Sequence, residues 1–282
     1  MIHAPIQDMM TAIIGADGKM GVWLRDHLTK LGHTIVSYDD RKGDNLSVLR
    51  EVDMVIVSVP VSKTAEVIRN VLRHMRKGAM IVEIASLKNG IHREMVEAAE
   101  NGFNALSVHP LFGPSVKDLR DKTVAVIPVV DPIMESSWAT ELFPGASFVE
   151  VDPEKHDRLM VHVLSLPYLV NLAFAATMGD TDLDLLKRLS GTSFTLQYTL
   201  IQSVAGETTS LVHALLSENR FLEETAEALI SNMRGIMGAT GEKDEFKALH
   251  ESIREPLKAD CGHGRAFELR QAAYNAVRPL LR

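Results

Sequence analysis

Three polar residues stand where apolar runs give way to turns: Ser86, Lys88 and His109. His109 closes the run Asn104-Ala-Leu-Ser-Val and is followed at once by Pro110-Leu-Phe-Gly113-Pro114, a turn sequence. A histidine so placed is expected to face a cleft rather than the core. Its titration near neutrality suits it to take a proton from a substrate hydroxyl as hydride leaves the adjoining carbon. Ser86 is a candidate to hold one ring nitrogen and fix the tautomer, and Lys88 to offer charge to a substrate carboxylate. The plainer readings are a turn histidine, a helix cap and a solvated lysine.

A second constellation lies upstream. Gly15-Ala16-Asp17-Gly18-Lys19-Met20-Gly21 connects the first apolar run to an amphipathic stretch. Backbone amides and a helix N-terminus at such a turn can cradle a pyrophosphate. The spacing is GxxGxxG, with Ala16 where the usual dinucleotide fingerprint has its first glycine. Asp39 and Asp40 close the second apolar run, at the distance expected of a carboxylate that binds ribose hydroxyls. They favour NAD over NADP, although Arg41 follows at once and could tolerate a 2′-phosphate. Val59 and Pro60 end the third run, where this fold puts a loop on the adenosine side.

The elements that must position these groups can be read from periodicity. Short β-branched runs at 11–14, 34–38, 54–59, 80–84 and 105–108 alternate with helical patterns, the signature of βαβ units and a parallel sheet. Runs at 123–130 and 147–151 extend the sheet. After Asp152-Pro153 the texture becomes helical, with helices expected near 153–178, 181–190, 193–206, 208–238, 243–257 and 264–281. The expectation is an α/β chain: a Rossmann-type, doubly wound, mostly parallel sheet over residues 1–152, then an all-helical domain over 153–282 that binds substrate and makes a homodimer.

Composition narrows the function. The 282 residues carry 30 Lys+Arg against 37 Asp+Glu, a formal charge of -7, which gives no basic footprint for nucleic acid. Cys261 is the single cysteine, so no internal disulfide forms and no cysteine-built metal site is expected. His156-Asp157 lacks a third ligand at metal-like spacing and reads as a structural or interdomain pair; no metal is expected. The N-terminus has no leader pattern, and no run is read as approaching the ~18 apolar residues of a membrane span, so a cytoplasmic protein is expected.

Taken in order, GADGKMG, EIASLKNG, HPLFGP and Glu154-Lys-His156-Asp157 resemble the prephenate dehydrogenase family, including its arogenate-using members. The resemblance covers roughly residues 11–220, and HPLFGP after an SLK strand end is its most specific part. It implies NAD-dependent oxidative decarboxylation of prephenate, a small dicarboxylate, to 4-hydroxyphenylpyruvate in tyrosine biosynthesis. It also implies His109 as the base on the ring hydroxyl, with Ser86 orienting it.

The sequence departs from that family at two substrate positions. Ser203 stands where a helix usually presents an arginine to the substrate carboxylate, and no Arg or Lys occurs from Leu189 to Asn219. Tyr168 stands where some relatives carry a substrate-contacting histidine. Two other readings follow: a related hydroxy-acid dehydrogenase, for which Lys187 would be the candidate catalytic lysine, or a non-catalytic NAD-binding sensor. The last ~60 residues read as helices completing the helical domain, without the βαββαβ pattern of an attached sensing domain.

Overall fold

The computed structural model describes residue 6 and residues 8–39, 46–260 and 262–281. Asp40, Arg41 and Cys261 lie outside these. The chain divides into two compact units, one of residues up to Met160 with Ser217–Asn219, the other of Val161–Leu216 with Arg220–Arg282.

Among the described residues, the first unit is built on seven strands: β1 (Met10–Ile14), β2 (Thr34–Tyr38), β3 (Met54–Val57), β4 (Met80–Glu83), β5 (Asn104–Pro110), β6 (Thr123–Val126) and β7 (Ser147–Glu150). Their order is β2-β1-β3-β4-β5-β6-β7, and among these pairings only β5 with β6 is antiparallel. The expected Rossmann-type sheet is therefore present, including its two late strands. All four residues of β3 and of β4 are buried, which explains why those segments read as unbroken apolar runs rather than alternating ones.

Alternate residues serve opposite faces. Ile13, Ile56, Val82 and Leu106 join a core with Leu24 and Leu28 of α1 (Lys19–Lys30) and Trp138 and Leu142 of α4 (Pro132–Leu142). Ala12, Val55, Ile81 and Ala105 join the other with Ile68 and Val71 of α2 (Val61–Leu72) and Met95 and Ala98 of α3 (Ile91–Glu100). The sheet is thus wound on both faces.

Register fixes where chemistry can occur. Tyr38, Ile14, Val57, Glu83 and Ser107 are successive partners across the five parallel strands. The residues just past that row lie beyond the strands' carboxyl ends, where doubly wound sheets bind ligands.

The rest of the chain is helical: α5 (Pro153–Met160), α6 (Leu166–Met178), α7 (Leu183–Leu189), α8 (Thr192–Ala205), α9 (Thr209–Ser217), α10 (Leu222–Ala239), α11 (Lys243–Lys258) and α12 (Ala266–Val277). Three details differ from the sequence reading. The first compact unit runs through α5, past the boundary placed at Asp152. The single helix expected at 208–238 is two helices, broken so that Asn219, 4% exposed, donates its Nδ2–H to the Asp157 carbonyl at 2.9 Å.

The third difference concerns membrane spans. Pro153–Met178, 26 residues, is long and apolar enough by length and composition to cross a membrane, contrary to the expectation of no such run. A π-helical stretch over Val161–Ser165 and Pro167 interrupt its regular α-helical turns. Pro167 cannot donate to the carbonyl four residues back and crowds it, which accounts for the widened turn. In this structure 22% of its most apolar window is buried, and Gln197 of α8 donates to Asn171 Oδ1 of α6 at 2.9 Å.

Candidate active site

The glycine turn occupies the switch point of the sheet, between β1 and β3. Gly15 has φ +85°, and a Cβ there would lie 2.3 Å from the Ser58 carbonyl oxygen at the end of β3. Gly21, in the first turns of α1, would put a Cβ 2.2 Å from the Gly15 oxygen. The first glycine permits the turn and the last lets the helix close on the strand, the roles a dinucleotide turn requires. Gly18 is the N-cap of α1 and, as a glycine, brings no side-chain cap to the helix N-terminus, the kind of terminus that binds anions. Asp17, Gly18 and Lys19 are exposed at the tip, while Ala16 is fully buried and fills the expected glycine's place as packing.

Asp39 follows β2 directly and is 5% exposed. β3 ends at Val57, earlier than the run read to Val59 and Pro60; Val59 is half-buried in the connection and Pro60 caps α2. Ile14, Tyr38 and Val57 are in register, so Gly15, Asp39 and Ser58 share one edge of the sheet. These residues fit a dinucleotide: a cradle that any Cβ would fill, the N-terminus of α1, and a carboxylate at the next strand end.

His109 sits two residues past the register row on β5, paired with Ala125 of β6. It is more enclosed than a cleft-facing ring, at 7% exposure. Its Nδ1 lies 3.0 Å from Nε2 of His156, with the two rings edge to face. His156 Nδ1 lies 2.8 Å from Asp157 Oδ1. The Asp157 carboxylate also accepts from the Lys88 amide at 2.9 Å and the Asn89 amide at 2.8 Å. His156 and Asp157 are 1% and 4% exposed.

The Nε2 edge of His109 is different. It has no hydrogen-bond partner among the described residues, yet it is not sealed off: the fully enclosed, unpaired side-chain nitrogen and oxygen atoms among those residues are His92 Nδ1 and Ser165 Oγ. Burial first, and then the electrostatic influence of the neighbouring Lys88 and His156 side chains, hold the His109 pKa well below 6.5. At neutral pH the ring is an uncharged base.

Lys88 does not do what its sequence position suggested. Its side chain is fully buried, and its ammonium donates to Glu83 Oε1 at 2.6 Å and to the Val108 carbonyl at 2.8 Å. Glu83 also accepts from the Ala85 amide and from the Ser107 hydroxyl. Burial pushes the Lys88 pKa down while Glu83 opposes the shift. An ammonium fully buried and paired to Glu83 is not placed to grip a substrate carboxylate; it ties the end of β4 to the end of β5. Ser86 is half-buried in the loop after β4, and the hydrogen bond on the His109 ring comes from His156 rather than from Ser86.

Tyr168 and Ser203 belong to the second unit, on α6 and α8. Tyr168 is half-buried, and burial with the Glu207 carboxylate raises its pKa. Ser203 is exposed. Lys187 is ion-paired to Asp184 at 2.7 Å on the surface of α7. No cluster of three or more potential metal ligands occurs among the described residues. The arrangement the sequence did not reveal is the contact between His109 and His156, 47 positions apart. The only signal available was an HD pair opening a helix, which metal spacing could not explain.

The nucleotide-binding part and the chain as a whole are similar to known proteins. Residues 19–128 match the family model described as prephenate dehydrogenase, nucleotide-binding domain. The Methanocaldococcus jannaschii protein named "Probable arogenate/prephenate dehydrogenase" is 25% identical over 259 residues, covering 84% of this chain and 58% of that protein. The chain therefore spans little more than half that relative's length. The 4-amino-4-deoxyprephenate dehydrogenase of Streptomyces pristinaespiralis is 26% identical over 252 residues, 78% of this chain and 84% of that one. Among solved structures, prephenate dehydrogenase from A. aeolicus, in complex with hydroxyphenyl propionate and NAD+, shares the fold with a TM-score of 0.69 at 18% identity, covering 92% of this chain and 100% of that one.

Proposed function

We propose that the chain is an enzyme of the prephenate dehydrogenase family and catalyses NAD-dependent oxidative decarboxylation of prephenate to 4-hydroxyphenylpyruvate, a step of tyrosine biosynthesis. The observation that carries this reading is His109, an uncharged histidine at a strand's carboxyl end with its Nε2 unengaged. A base for a hydroxyl proton needs that protonation state and that open nitrogen.

The Gly15–Gly21 turn and the first amides of α1 would hold the pyrophosphate of NAD, and Asp39 its ribose hydroxyls; a 2′-phosphate would meet Asp39 as a like charge. When bound, NAD supplies the hydride acceptor. His109 takes the ring hydroxyl proton as that carbon gives up its hydride. The bond to the ring carboxylate then breaks, CO2 leaves, and its electron pair completes the aromatic ring. The resulting phenolate recovers the proton from His109, so no net proton is released. Tyr168 and Ser203 are neutral hydrogen-bonding candidates for the substrate. The second unit exposes Met233, Met237, Leu257 and Phe267, which supports a homodimer through the helices; its mass in solution by light scattering tests this.

The deciding experiment follows absorbance at 340 nm with prephenate, arogenate and 4-amino-4-deoxyprephenate, each with NAD and NADP. Signal with prephenate and NAD is expected. Signal only with another substrate would move the assignment within the family, and silence from every pair in a protein that binds NAD would overturn it.

A further inference from the structure

We propose that His156 and Asp157 are positioning residues for the base: together they fix which nitrogen of His109 is bare and take up the charge when it is protonated. This rests on the reading of His109 as the base, and it follows from matching donors to acceptors. An aspartate carboxylate can only accept, so His156 must carry its proton on Nδ1 to make the 2.8 Å contact. A neutral His156 then has a lone pair on Nε2. The 3.0 Å contact from that atom to His109 requires the proton to sit on His109 Nδ1. The remaining lone pair of His109 is on Nε2, the edge left without a partner. One carboxylate thereby sets two tautomers in series.

Asp157 is itself fixed. Its oxygens accept the Lys88 and Asn89 amides, and its own carbonyl accepts Asn219 Nδ2. The carboxylate cannot swing away without orphaning buried donors, which is costly. When His109 gains a proton at Nε2, its Nδ1–H bond to His156 becomes charge-assisted. The Nδ1 proton can shift to His156 Nε2, leaving an imidazolium against the Asp157 carboxylate. The return shift precedes delivery of the proton to the phenolate. No proton leaves the site in this cycle.

A purely structural His-Asp pair would be satisfied by any buried polar neighbour. Here the His156 ring stands between the carboxylate and the base, with one donor and one acceptor at each contact.

The test combines two readouts on the full chain. Long-range 1H–15N NMR of the histidine rings in the unsubstituted protein reads both tautomers and needs no turnover. His109 is expected with Nδ1 protonated and Nε2 bare, and His156 with Nδ1 protonated; finding His109 protonated at Nε2 instead would overturn the proposal. Separately, His156→Leu removes the acceptor, while His156→Gln puts an amide oxygen near the same place. His156→Leu is expected to lower kcat about 10- to 100-fold with KM and NAD affinity little changed, and His156→Gln to recover most of the loss. Equal losses in both variants would reduce His156 to packing and contradict the relay. If the unsubstituted protein turns over none of the candidate substrates, the functional assignment falls, and the NMR result alone decides the tautomer chain.

Discussion

The two polar regions of the first unit are built from opposite materials. The dinucleotide turn between β1 and β3 is made of backbone: Gly15 and Gly21 matter for the side chains they lack, and the groups offered to a ligand are amides. The region at the ends of β4 and β5 is made of side chains, with Glu83, Lys88 and Ser107 closing one buried network and His109, His156 and Asp157 another. A backbone site tolerates changes in what it displays but not in the space it leaves. A side-chain site depends on every partner being present, because each buried group satisfies another.

The largest effect that would sharpen this contrast is expected at Lys88. Lys88→Met leaves the Glu83 carboxylate buried without its cation, which costs about 3–5 kcal/mol and should appear as a large drop in denaturant midpoint. A substrate-gripping lysine would behave oppositely, raising KM and leaving stability alone. Gly15→Ala comes next. An alanine at φ +85° costs about 1–2 kcal/mol before any clash with the Ser58 oxygen. NAD affinity by calorimetric titration should fall roughly tenfold or more; retained affinity would mean that the turn is mere connection.

A smaller change is expected at Asp39. Asp39→Ala should cost about tenfold in NAD affinity, as loss of hydrogen bonds to a charged acceptor does, and should narrow the preference over NADP. An unchanged NAD to NADP ratio would remove Asp39 from the ribose site. The subtlest effect is on pH. Because the His109 pKa is held below 6.5, the acid limb of kcat/KM should lie below pH 6.5, where the base first becomes protonated. The same shift acts on stability: between the depressed folded value and 6.5 the unfolded chain binds a proton that the folded one does not. Stability therefore falls as pH drops through that window. An acid limb above 6.5 would contradict the buried, uncharged ring.

What can be read from the sequence follows the same division. The five parallel strands, their helices and the glycine turn are legible because their signals are local: apolar runs, 3.6-residue periodicity and glycines at a strand end. His109 is legible for the same reason, standing between a strand and a Pro/Gly turn. Lys88 misleads because its partner is a strand residue, Glu83, whose inward aim depends on both faces of β4 being covered. The partnership of His109 and His156 is invisible in the sequence because α5 and β5 meet only in the folded unit. The helix break at Asn219 is equally hidden, because it serves a carbonyl 62 positions away.

The most direct test of the central claim is turnover of His109→Asn with prephenate and NAD, beside its NAD affinity by titration. The account predicts a loss in kcat of about 10²-fold or more with NAD binding nearly unchanged, because the base sits apart from the backbone cradle. Normal turnover in that variant would contradict it.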